Sequence, residues 1–436
     1  MRDCIYDFIG IGIGPFNLSL ACMSAPLKDV TSLFLDKQTG FDWHPGMMLP
    51  DATLQTPFMS DLVTMADPTS PYSFLNYIKQ QGRLYSFYIR ESFFLLRQEY
   101  NQYCQWATEQ LANVRFNCNV QHVEFDVAAD HFIVQTSQGN YFAKHLVIGT
   151  GPTPQVPKCA EGLTGSVIHS SQYLEHKVAL QKNNSISIIG SGQSAAEIFY
   201  DLLQDIDLHR YQLNWVTRSP RFYPLEYSKL TLEMTSPEYV DYFYQLPSDK
   251  RQKLNRRQHN LYKGINSELI NNIFDCLYRK KLSYELDVNL HTNSRLNAIK
   301  YHHVGQQFEM EFQHTEQNHD FLMRSEGIVF ATGYKSVQPG FLSGIESLID
   351  RDEQGQFQVA RNYSIDKAHK RIFIQNAEHH THGFATPDLG MACYRNACLL
   401  RAITGHEHYL VERQIAFQQF AAPGCELATE IELFRA

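Results

Sequence analysis

The sequence predicts an α/β fold with two parallel sheets, because two short apolar segments each run into a glycine-rich turn and then into a helical pattern. The first is YDFIGIG at 6–12, followed by a helical pattern from Phe16 to Met23. The second is SISIIGSG at 185–192, followed by a helical pattern from Ser194 to Gln204. A strand, a tight turn and a helix open a βαβ unit. Two such openings predict two Rossmann-like dinucleotide-binding domains.

The segments between and after these openings complete the predicted sheets. TSLFLDK (31–37) and QLNWVTR (212–218) follow the two helices at the distance that a second parallel strand requires. Residues 132–151 resemble a hairpin that returns to the first sheet, and GIVFATGY (327–334) is typical of a buried strand. RIFIQ at 371–375 starts a further strand, followed by a loop and a closing helix.

The order of these segments predicts a discontinuous domain with a second domain inserted into it. The polar, tyrosine-rich residues 225–283 have a helical pattern and are placed outside both sheets as a small helical substrate-binding region. We therefore expect one dinucleotide-binding domain from 1–164 and 326–436, and a second dinucleotide-binding domain at 165–325 that carries 225–283.

The first glycine loop has the shape of a pyrophosphate site. Backbone N–H groups at a helix N-terminus attract a phosphate when no side chain blocks them, and Gly10, Gly12 and Gly14 provide that room. Pro15 replaces the third glycine of the usual fingerprint, at a first helical position where its missing N–H costs little. Asp36, at the end of the second strand, suits the ribose hydroxyls of FAD or NAD.

The second glycine loop favours a different cofactor. Gly190 and Gly192 open the helix, Ala195 is small enough for close packing, and Gln193 and Ser194 lie in the first turn. The partner strand ends in TRSPR, which places Arg218 and Arg221 where the other loop has an acid. Because arginine suits a 2′-phosphate, the second site is assigned to NADPH and the first to FAD. A solvated surface charge is the alternative role for Arg218.

Composition narrows the function classes. The chain has 436 residues, a formal net charge of −8 and no stretch that combines basic with aromatic residues, so we do not expect nucleic acid as a partner. No window of 18 apolar residues predicts a membrane span. Nine cysteines, without a C-x-x-C pair or zinc-type spacing, favour the cytoplasm and no metal site. They also argue against a pyridine nucleotide–disulfide reductase, which needs a redox cysteine pair.

Several longer motifs resemble one family. FDWHPGMMLPDATLQTPFMSDLV (41–63), DPTSPYSFLNYI (67–78), VFATGY (329–334) and THG (381–383), with both glycine loops, are similar to the flavin-dependent N-hydroxylating monooxygenases of siderophore biosynthesis. These enzymes act on lysine, ornithine or diamines. The resemblance implies that NADPH reduces FAD, that O₂ is captured as a C4a-hydroperoxyflavin, and that a primary amine is hydroxylated. It also implies a homo-oligomer, commonly a tetramer.

The resemblance also assigns roles to individual residues. Trp43 and His44 are expected beside the isoalloxazine, and Gln55 near nicotinamide and substrate; core packing is the alternative for Trp43. Further cofactor contacts are expected at Val120, Thr381, His382, Asp388 and Gly390, with a hydrogen-bonded loop histidine as the alternative for His382. The candidate substrate contacts are Gln55, Ser60, Lys263 and Asn266.

Ser60 marks a departure from the amino-acid hydroxylases. Those relatives carry a lysine at this place, where it pairs with the α-carboxylate of the substrate. Because a buried carboxylate without a cation is costly, Ser60 favours a decarboxylated amine such as putrescine, cadaverine or histamine. If Lys263 supplies the cation instead, L-lysine or L-ornithine is the substrate. A flavin monooxygenase of sulfides or ketones, or a flavin-binding sensor without turnover, is a further alternative.

Overall fold

The computed structural model describes residues 4–424, so Cys425 and both ends of the predicted first domain lie outside the described residues. The strands of the described part are, in chain order, β1 (Ile5–Ile11), β2 (Ser32–Leu35), β3 (Thr53–Pro57), β4 (Phe94–Leu96), β5 (Val114–Arg115), β6 (Val120–Asp126), β7 (His131–Thr136), β8 (Gly139–Ile148), β9 (Thr153–Pro154), β10 (Val167–His169), β11 (Ser185–Ile189), β12 (Gln212–Val216), β13 (Val288–His291), β14 (Ser294–His302), β15 (Gln307–His314), β16 (His319–Ser325), β17 (Gly327–Phe330), β18 (Tyr334–Lys335) and β19 (Ile372–Ile374).

The α-helices lie between these strands and after the last of them. They are α1 (Pro15–Ser24), α2 (Phe74–Gln80), α3 (Leu84–Arg90), α4 (Arg97–Gln110), α5 (Tyr173–Leu180), α6 (Gln193–His209), α7 (Lys229–Leu232), α8 (Pro237–Gln245), α9 (Ser248–Arg257), α10 (Asn260–Lys263), α11 (Ser267–Lys281), α12 (His379–His382) and α13 (Ala392–Thr404). No helix within residues 4–424 is long and apolar enough to cross a membrane.

The first sheet has seven strands in the order β5-β2-β1-β8-β7-β6, with β19 paired to β8. β1 lies parallel to β2 and β8, and β19 is also parallel to β8. β7 and β8 form the hairpin that residues 132–151 predict. Because β19 follows the second sheet in the chain, the first sheet contains strands from both ends of the described residues.

The second sheet has five parallel strands in the order β10-β17-β11-β12-β13. β17 lies between β10 and β11, which corrects the boundary at 326 that placed this strand in the first domain. All four of its residues are buried, a pattern that suits the centre of either sheet. Only the pairing of β17 decides which sheet it joins, and the sequence does not encode that pairing locally.

The two helices that follow the glycine loops are longer than predicted. α1 begins at Pro15, which confirms this residue as the first helical position, and nine of its ten residues are buried. α6 continues to His209, five residues beyond the predicted end, and is stopped by Arg210 in the left-handed conformation (φ 57°). Arginine is not a usual residue at this position, and neither glycine nor proline marks the end of the helix in the sequence.

The helical region between β12 and β13 contains α7 to α11, within the predicted residues 225–283. Helices α8 and α9 pack against α12, in the segment that returns to the first sheet. Tyr239, Phe243 and Phe384 form a shared apolar cluster at this contact. The helical region therefore packs against the segment that follows β19.

Candidate active site

The first glycine loop is built by close backbone contacts that only glycine permits. Gly12 has φ +89°, and a Cβ there would lie 2.5 Å from the carbonyl oxygen of Gly149. A Cβ at Gly10 would lie 2.3 Å from the ring of Phe34. Gly14, the N-cap of α1, differs because a Cβ would meet no atom within 4 Å. The N-terminus of α1 therefore faces open space that a pyrophosphate can fill.

Asp36 lies directly beside this loop. Its Oδ2 accepts a hydrogen bond from the backbone N–H of Ile13 at 2.6 Å, and Oδ1 accepts from Gln38 N–H at 2.8 Å. The carboxylate thus stabilises the loop and stays at the end of β2, where a ribose would lie. Val120, at the start of β6, is buried in the apolar core of the first sheet. It does not line the cavity described next.

A cavity of about 600 Å³ lies at the N-terminus of α1, between the first sheet and the helical region. Its volume is within the range of small-molecule and cofactor sites. The predicted site residues that line it are Gly14, Pro15, Trp43, His44, Gln55, Ser60, Asp388 and Gly390. Several other lining residues were not predicted from the sequence, namely Asn17, Tyr227, Thr231, Tyr262 and Gln375.

Asn17 and Gln375 are fixed by hydrogen bonds between the loop and the C-terminal segment. Asn17 Nδ2 donates to the carbonyl oxygen of Gly12 at 2.7 Å, and Asn17 Oδ1 accepts from Gln375 Nε2 at 2.7 Å. Asn17 follows the first glycine loop, and Gln375 is the last residue of the predicted strand RIFIQ. A buried amide at the end of a buried strand was the signal that could have identified Gln375.

Trp43 and His44 form one wall of the cavity. Trp43 packs against Tyr100 with 5.3 Å between ring centroids, and His44 packs against Tyr334 at 5.6 Å. His44 has the left-handed conformation, φ 55°. Burial, assisted by the nearby Arg97 guanidinium, lowers the pKa of His44 to about 4. The imidazole is therefore neutral near pH 7.

Gln55 connects the cavity to the second glycine loop. Its Nε2 donates to Gln193 Oε1 at 3.4 Å and to the carbonyl oxygen of Gly264 at 3.3 Å. Gln193 Nε2 in turn donates to Glu197 Oε1 at 2.9 Å, and Glu197 is held by a two-point ion pair with Arg97 at 2.8 and 3.0 Å. This chain of contacts joins the first residue of α4 to the first turn of α6.

The second glycine loop has the same construction as the first. Gly190 has φ +150°, and a Cβ there would lie 2.2 Å from the carbonyl oxygen of Ala331. Gly192 is the N-cap of the 17-residue helix α6, and Ala195 is buried against the core. Gln193 and Ser194 lie in the first turn, with their backbone N–H groups at the helix N-terminus. The N–H groups of this terminus can bind a pyrophosphate.

Basic side chains surround the second loop. Arg218 and Arg221 are exposed after β12, and the Arg221 guanidinium lies 4.6 Å from the ring centroid of Tyr223. Partial burial and the Arg218 guanidinium lower the pKa of Lys263. Burial and the positive charges of Lys263 and Arg218 lower the pKa of His259. These groups repel one another until an anion binds, so they fit the 2′-phosphate of NADPH.

Two candidate substrate contacts, Lys263 and Asn266, and two candidate cofactor contacts, Thr381 and His382, are also absent from the cavity wall. The ammonium of Lys263 lies 5.3 Å from the ring centroid of Tyr262, and burial and the Arg218 guanidinium lower the pKa of Lys263. The side chain of Asn266 is used to cap α11, where Oδ1 accepts from the N–H of Glu268 at 2.8 Å. Thr381 and His382 are fully buried, with 2.9 Å between the hydroxyl and Nδ1.

His382 is instead a structural residue, the alternative that the sequence left open. Its Nε2 bonds to the carbonyl oxygen of Arg361 at 3.2 Å, and its ring stacks on Tyr363 with centroids 4.5 Å apart. Burial lowers the pKa of His382 well below its usual value, so the ring is neutral.

Asp388 and Ser60 both line the cavity, and both lie next to Gly390. Asp388 Oδ1 accepts from the N–H of Gly390 at 2.7 Å, and a Cβ at Gly390 would lie 3.2 Å from Ser60 Oγ. Burial raises the pKa of Asp388, while the Gly390 N–H and the more distant Arg395 oppose that shift. Within residues 4–424, no lysine or arginine lines the cavity.

Comparison with known proteins identifies the family. Residues 4–336 match the family of L-lysine 6-monooxygenase/L-ornithine 5-monooxygenase. The chain belongs to this family. The putrescine N-hydroxylase of Shewanella oneidensis is 53% identical over 430 residues, which cover 97% of this chain and 85% of that protein. The putrescine N-hydroxylase of Acinetobacter baumannii is 44% identical, with 98% and 96% covered.

Solved structures of the family have the same fold. The FAD-bound cadaverine monooxygenase DfoA of Erwinia amylovora is 58% identical, has a TM-score of 0.95 and matches 97% of this chain and 100% of that one. The Kutzneria ornithine N-hydroxylase, with reduced FAD, NADP⁺ and L-ornithine, is 26% identical with a TM-score of 0.83, covering 92% and 99%. The present protein is therefore a flavin-dependent N-monooxygenase that uses FAD and NADPH.

Proposed function

We propose that this family member N-hydroxylates one end of a short aliphatic diamine, of the putrescine or cadaverine type, for siderophore biosynthesis. The observation that carries this proposal is the charge of the cavity wall. Its side chains include Asp388 but, in the described part of the chain, neither lysine nor arginine. The α-carboxylate of lysine or ornithine would thus be buried without a cation and near a carboxylate, which is costly.

The relatives support the same substrate class. Two of them are named for hydroxylation of putrescine, and the structure with a TM-score of 0.95 is that of a cadaverine monooxygenase. Lysine and ornithine enzymes of the family are more distant, at 34% and 26% identity. These relationships disfavour the amino-acid substrates and the sulfide or ketone oxidations that the sequence left open.

The side chains of the cavity prepare the amine for oxidation. When bound, FAD reduced by NADPH would activate O₂ for transfer of one oxygen atom to the amine, and the nucleophile must be the neutral amine. Presenting an amine with an ordinary pKa near 10.4 in its neutral form at pH 7 costs about 4 to 5 kcal/mol. The apolar walls formed by Leu54, Leu225 and Leu232 lower that cost, because desolvation disfavours the ammonium.

We also propose how the cofactors are held. FAD would bind across the first loop and the Trp43–His44 wall, with the Asp36 carboxylate toward the ribose. NADPH would bind at the N-terminus of α6, with its 2′-phosphate among Arg218, Lys263 and His259. The residues that this assignment places at the cofactors are Gly10, Gly12, Gly14, Pro15, Asp36, Trp43, His44, Gln55, Gly190, Gly192, Gln193, Ser194, Arg218, Arg221 and Gly390.

We further propose a cytoplasmic homo-oligomer, with a tetramer as the expected form. The apolar side chains of Tyr85, Tyr88, Ile89 and Phe93 are exposed on and after α3, which is a surface suited to a second copy. All cysteines from Cys4 to Cys398 are free thiols, as a reducing compartment allows. Light scattering of the FAD-loaded protein measures the oligomeric state directly, and a monomer at micromolar concentration contradicts this part.

A product screen tests the proposed function. The FAD-loaded enzyme is mixed with NADPH and, separately, putrescine, cadaverine, histamine, L-lysine or L-ornithine, and the hydroxylamine formed per NADPH oxidised is measured. We expect a high ratio with a diamine and mainly peroxide with the amino acids. A high ratio of hydroxylamine to NADPH oxidised with lysine or ornithine only would overturn the proposed substrate. Formation of peroxide alone with every amine would contradict the N-hydroxylase activity itself.

A further inference from the structure

We propose that Asp388 binds the non-reacting ammonium of the diamine and so determines which nitrogen is hydroxylated. This inference rests on the proposed function, because it requires a substrate with two amines. It gives Asp388 a role in substrate recognition, in place of the cofactor contact that the family resemblance implies. The two assignments have different consequences, which an experiment can separate.

The position of the Asp388 carboxylate is fixed by its backbone. Asp388 precedes the short 3₁₀ turn Leu389–Met391, and Oδ1 accepts the N–H of Gly390 at 2.7 Å. In the described residues, Oδ2 has no hydrogen-bond partner and the carboxylate forms no ion pair. The side chain is half-buried and lines the cavity. One carboxylate oxygen is thus available to a ligand.

The other carboxylate that lines the cavity, Glu226, is exposed and accepts from the Thr231 hydroxyl at 3.3 Å. The buried carboxylates outside the cavity wall also have partners. Glu197 is paired with Arg97 at 2.8 Å, and Glu378 lies 3.1 Å from Arg395. Asp61 accepts hydrogen bonds from three backbone N–H groups and the Thr64 hydroxyl. Since buried charges in proteins are normally paired, the missing partner of Asp388 is best supplied by a cationic ligand in the cavity.

A carboxylate in the cavity has opposite effects on the two ends of a diamine. An ammonium beside Asp388 gains a charge-assisted hydrogen bond, and its pKa rises, so this nitrogen stays protonated and cannot act as a nucleophile. The other nitrogen extends into the part of the cavity lined by apolar side chains, where desolvation lowers its pKa. Asp388 thereby orients the substrate and leaves the distant amine to react.

The decisive experiment compares diamines with monoamines of equal chain length. Putrescine is compared with butylamine, and cadaverine with pentylamine, in the FAD-loaded wild type and Asp388→Asn. The amide keeps an oxygen to accept the Gly390 N–H but removes the charge. We expect the wild type to prefer the diamine by about 10- to 100-fold in kcat/KM for hydroxylamine formation. In Asp388→Asn, that preference falls to a few-fold, through a higher KM for diamines.

Equilibrium binding supplies a readout that does not depend on turnover. Calorimetry of the oxidised, FAD-loaded enzyme is expected to give a weaker Kd for putrescine in Asp388→Asn by a similar factor, with the butylamine Kd unchanged. Glu353→Gln, which removes an exposed acid that does not line the cavity, is the matched control and is expected to leave both Kd values unchanged.

Two results would overturn the inference. One is a wild type that binds and hydroxylates butylamine as well as putrescine, a comparison that needs no variant. The other is an Asp388→Asn enzyme in which kcat/KM falls equally for diamines and monoamines, or which no longer binds FAD. Either outcome would indicate that Asp388 contacts the flavin and not the distal ammonium. If the wild type hydroxylates no diamine, the proposed function fails and this inference with it. Hydroxylation of diamines without discrimination ends this inference alone.

Discussion

The buried ion pair between Arg97 and Glu197 gives a quantitative prediction. Their side chains are only 12% and 5% exposed, and two hydrogen bonds of 2.8 and 3.0 Å join them. Arg97 also donates to the carbonyl oxygen of Met47 at 2.7 Å. In Arg97→Met, the Glu197 carboxylate keeps only the Gln193 amide as a donor. We expect the free energy of unfolding to fall by about 3 to 5 kcal/mol.

The double variant makes this prediction specific to the pair. Arg97→Met with Glu197→Met removes both charges and leaves apolar side chains at the contact, so we expect most of the loss to be recovered. Urea unfolding of FAD-loaded protein, followed by tryptophan fluorescence at a fixed excess of FAD, measures the three free energies. A single variant within about 1 kcal/mol of the wild type, or a double variant no more stable than the single one, would refute the reasoning.

Three further predictions address the cofactors and pH. Gly14→Ala is expected to raise the Kd for FAD at least about tenfold while apoprotein unfolding is unchanged, because the methyl enters open space at the helix terminus; equal FAD affinity would contradict this. Arg218→Gln is expected to raise the KM for NADPH by about tenfold and to leave the KM for NADH unchanged, as measured by steady-state kinetics. An increase in KM for both cofactors would contradict the role of Arg218 in binding the 2′-phosphate. Burial lowers the pKa of His44 from 6.5 to about 4, so the unfolded chain binds this proton at a higher pH than the folded protein does. The free energy of unfolding is therefore expected to fall as the pH decreases from about 6.5 to about 4. Urea unfolding as a function of pH measures this decrease, and His44→Asn is expected to reduce it.

Local physical chemistry determined the features of the fold that the sequence predicted correctly. Gly12 must have a positive φ, Pro15 suits the first turn of a helix, and both are visible as single residues in a strand–turn–helix pattern. The placement of β17 was not predictable in this way. A run of four buried apolar residues is compatible with either sheet, and its membership depends on long-range pairing with β10 and β11.

The candidate site was predicted where it consists of contiguous motifs and missed where distant segments meet. Residues 43–60 reach the cavity as the motif implied, but Lys263 and Asn266 face other neighbours than those expected. Asn266 follows a loop and precedes a helix, so capping competes with ligand binding for its side chain. Thr381 and His382 belong to the recognised THG motif, yet their hydrogen bonds to buried carbonyl groups give them a structural role.

One matched pair of substrates tests the central claim, that the cavity accepts an amine without an α-carboxylate. Putrescine and L-ornithine differ only by that carboxylate. The measurement is kcat/KM for hydroxylamine formation by the FAD-loaded enzyme with each substrate at the same pH and NADPH concentration. The absence of a lysine or arginine from the described cavity wall predicts a value for putrescine at least about 100-fold higher. Equal values, or a preference for ornithine, would contradict the account.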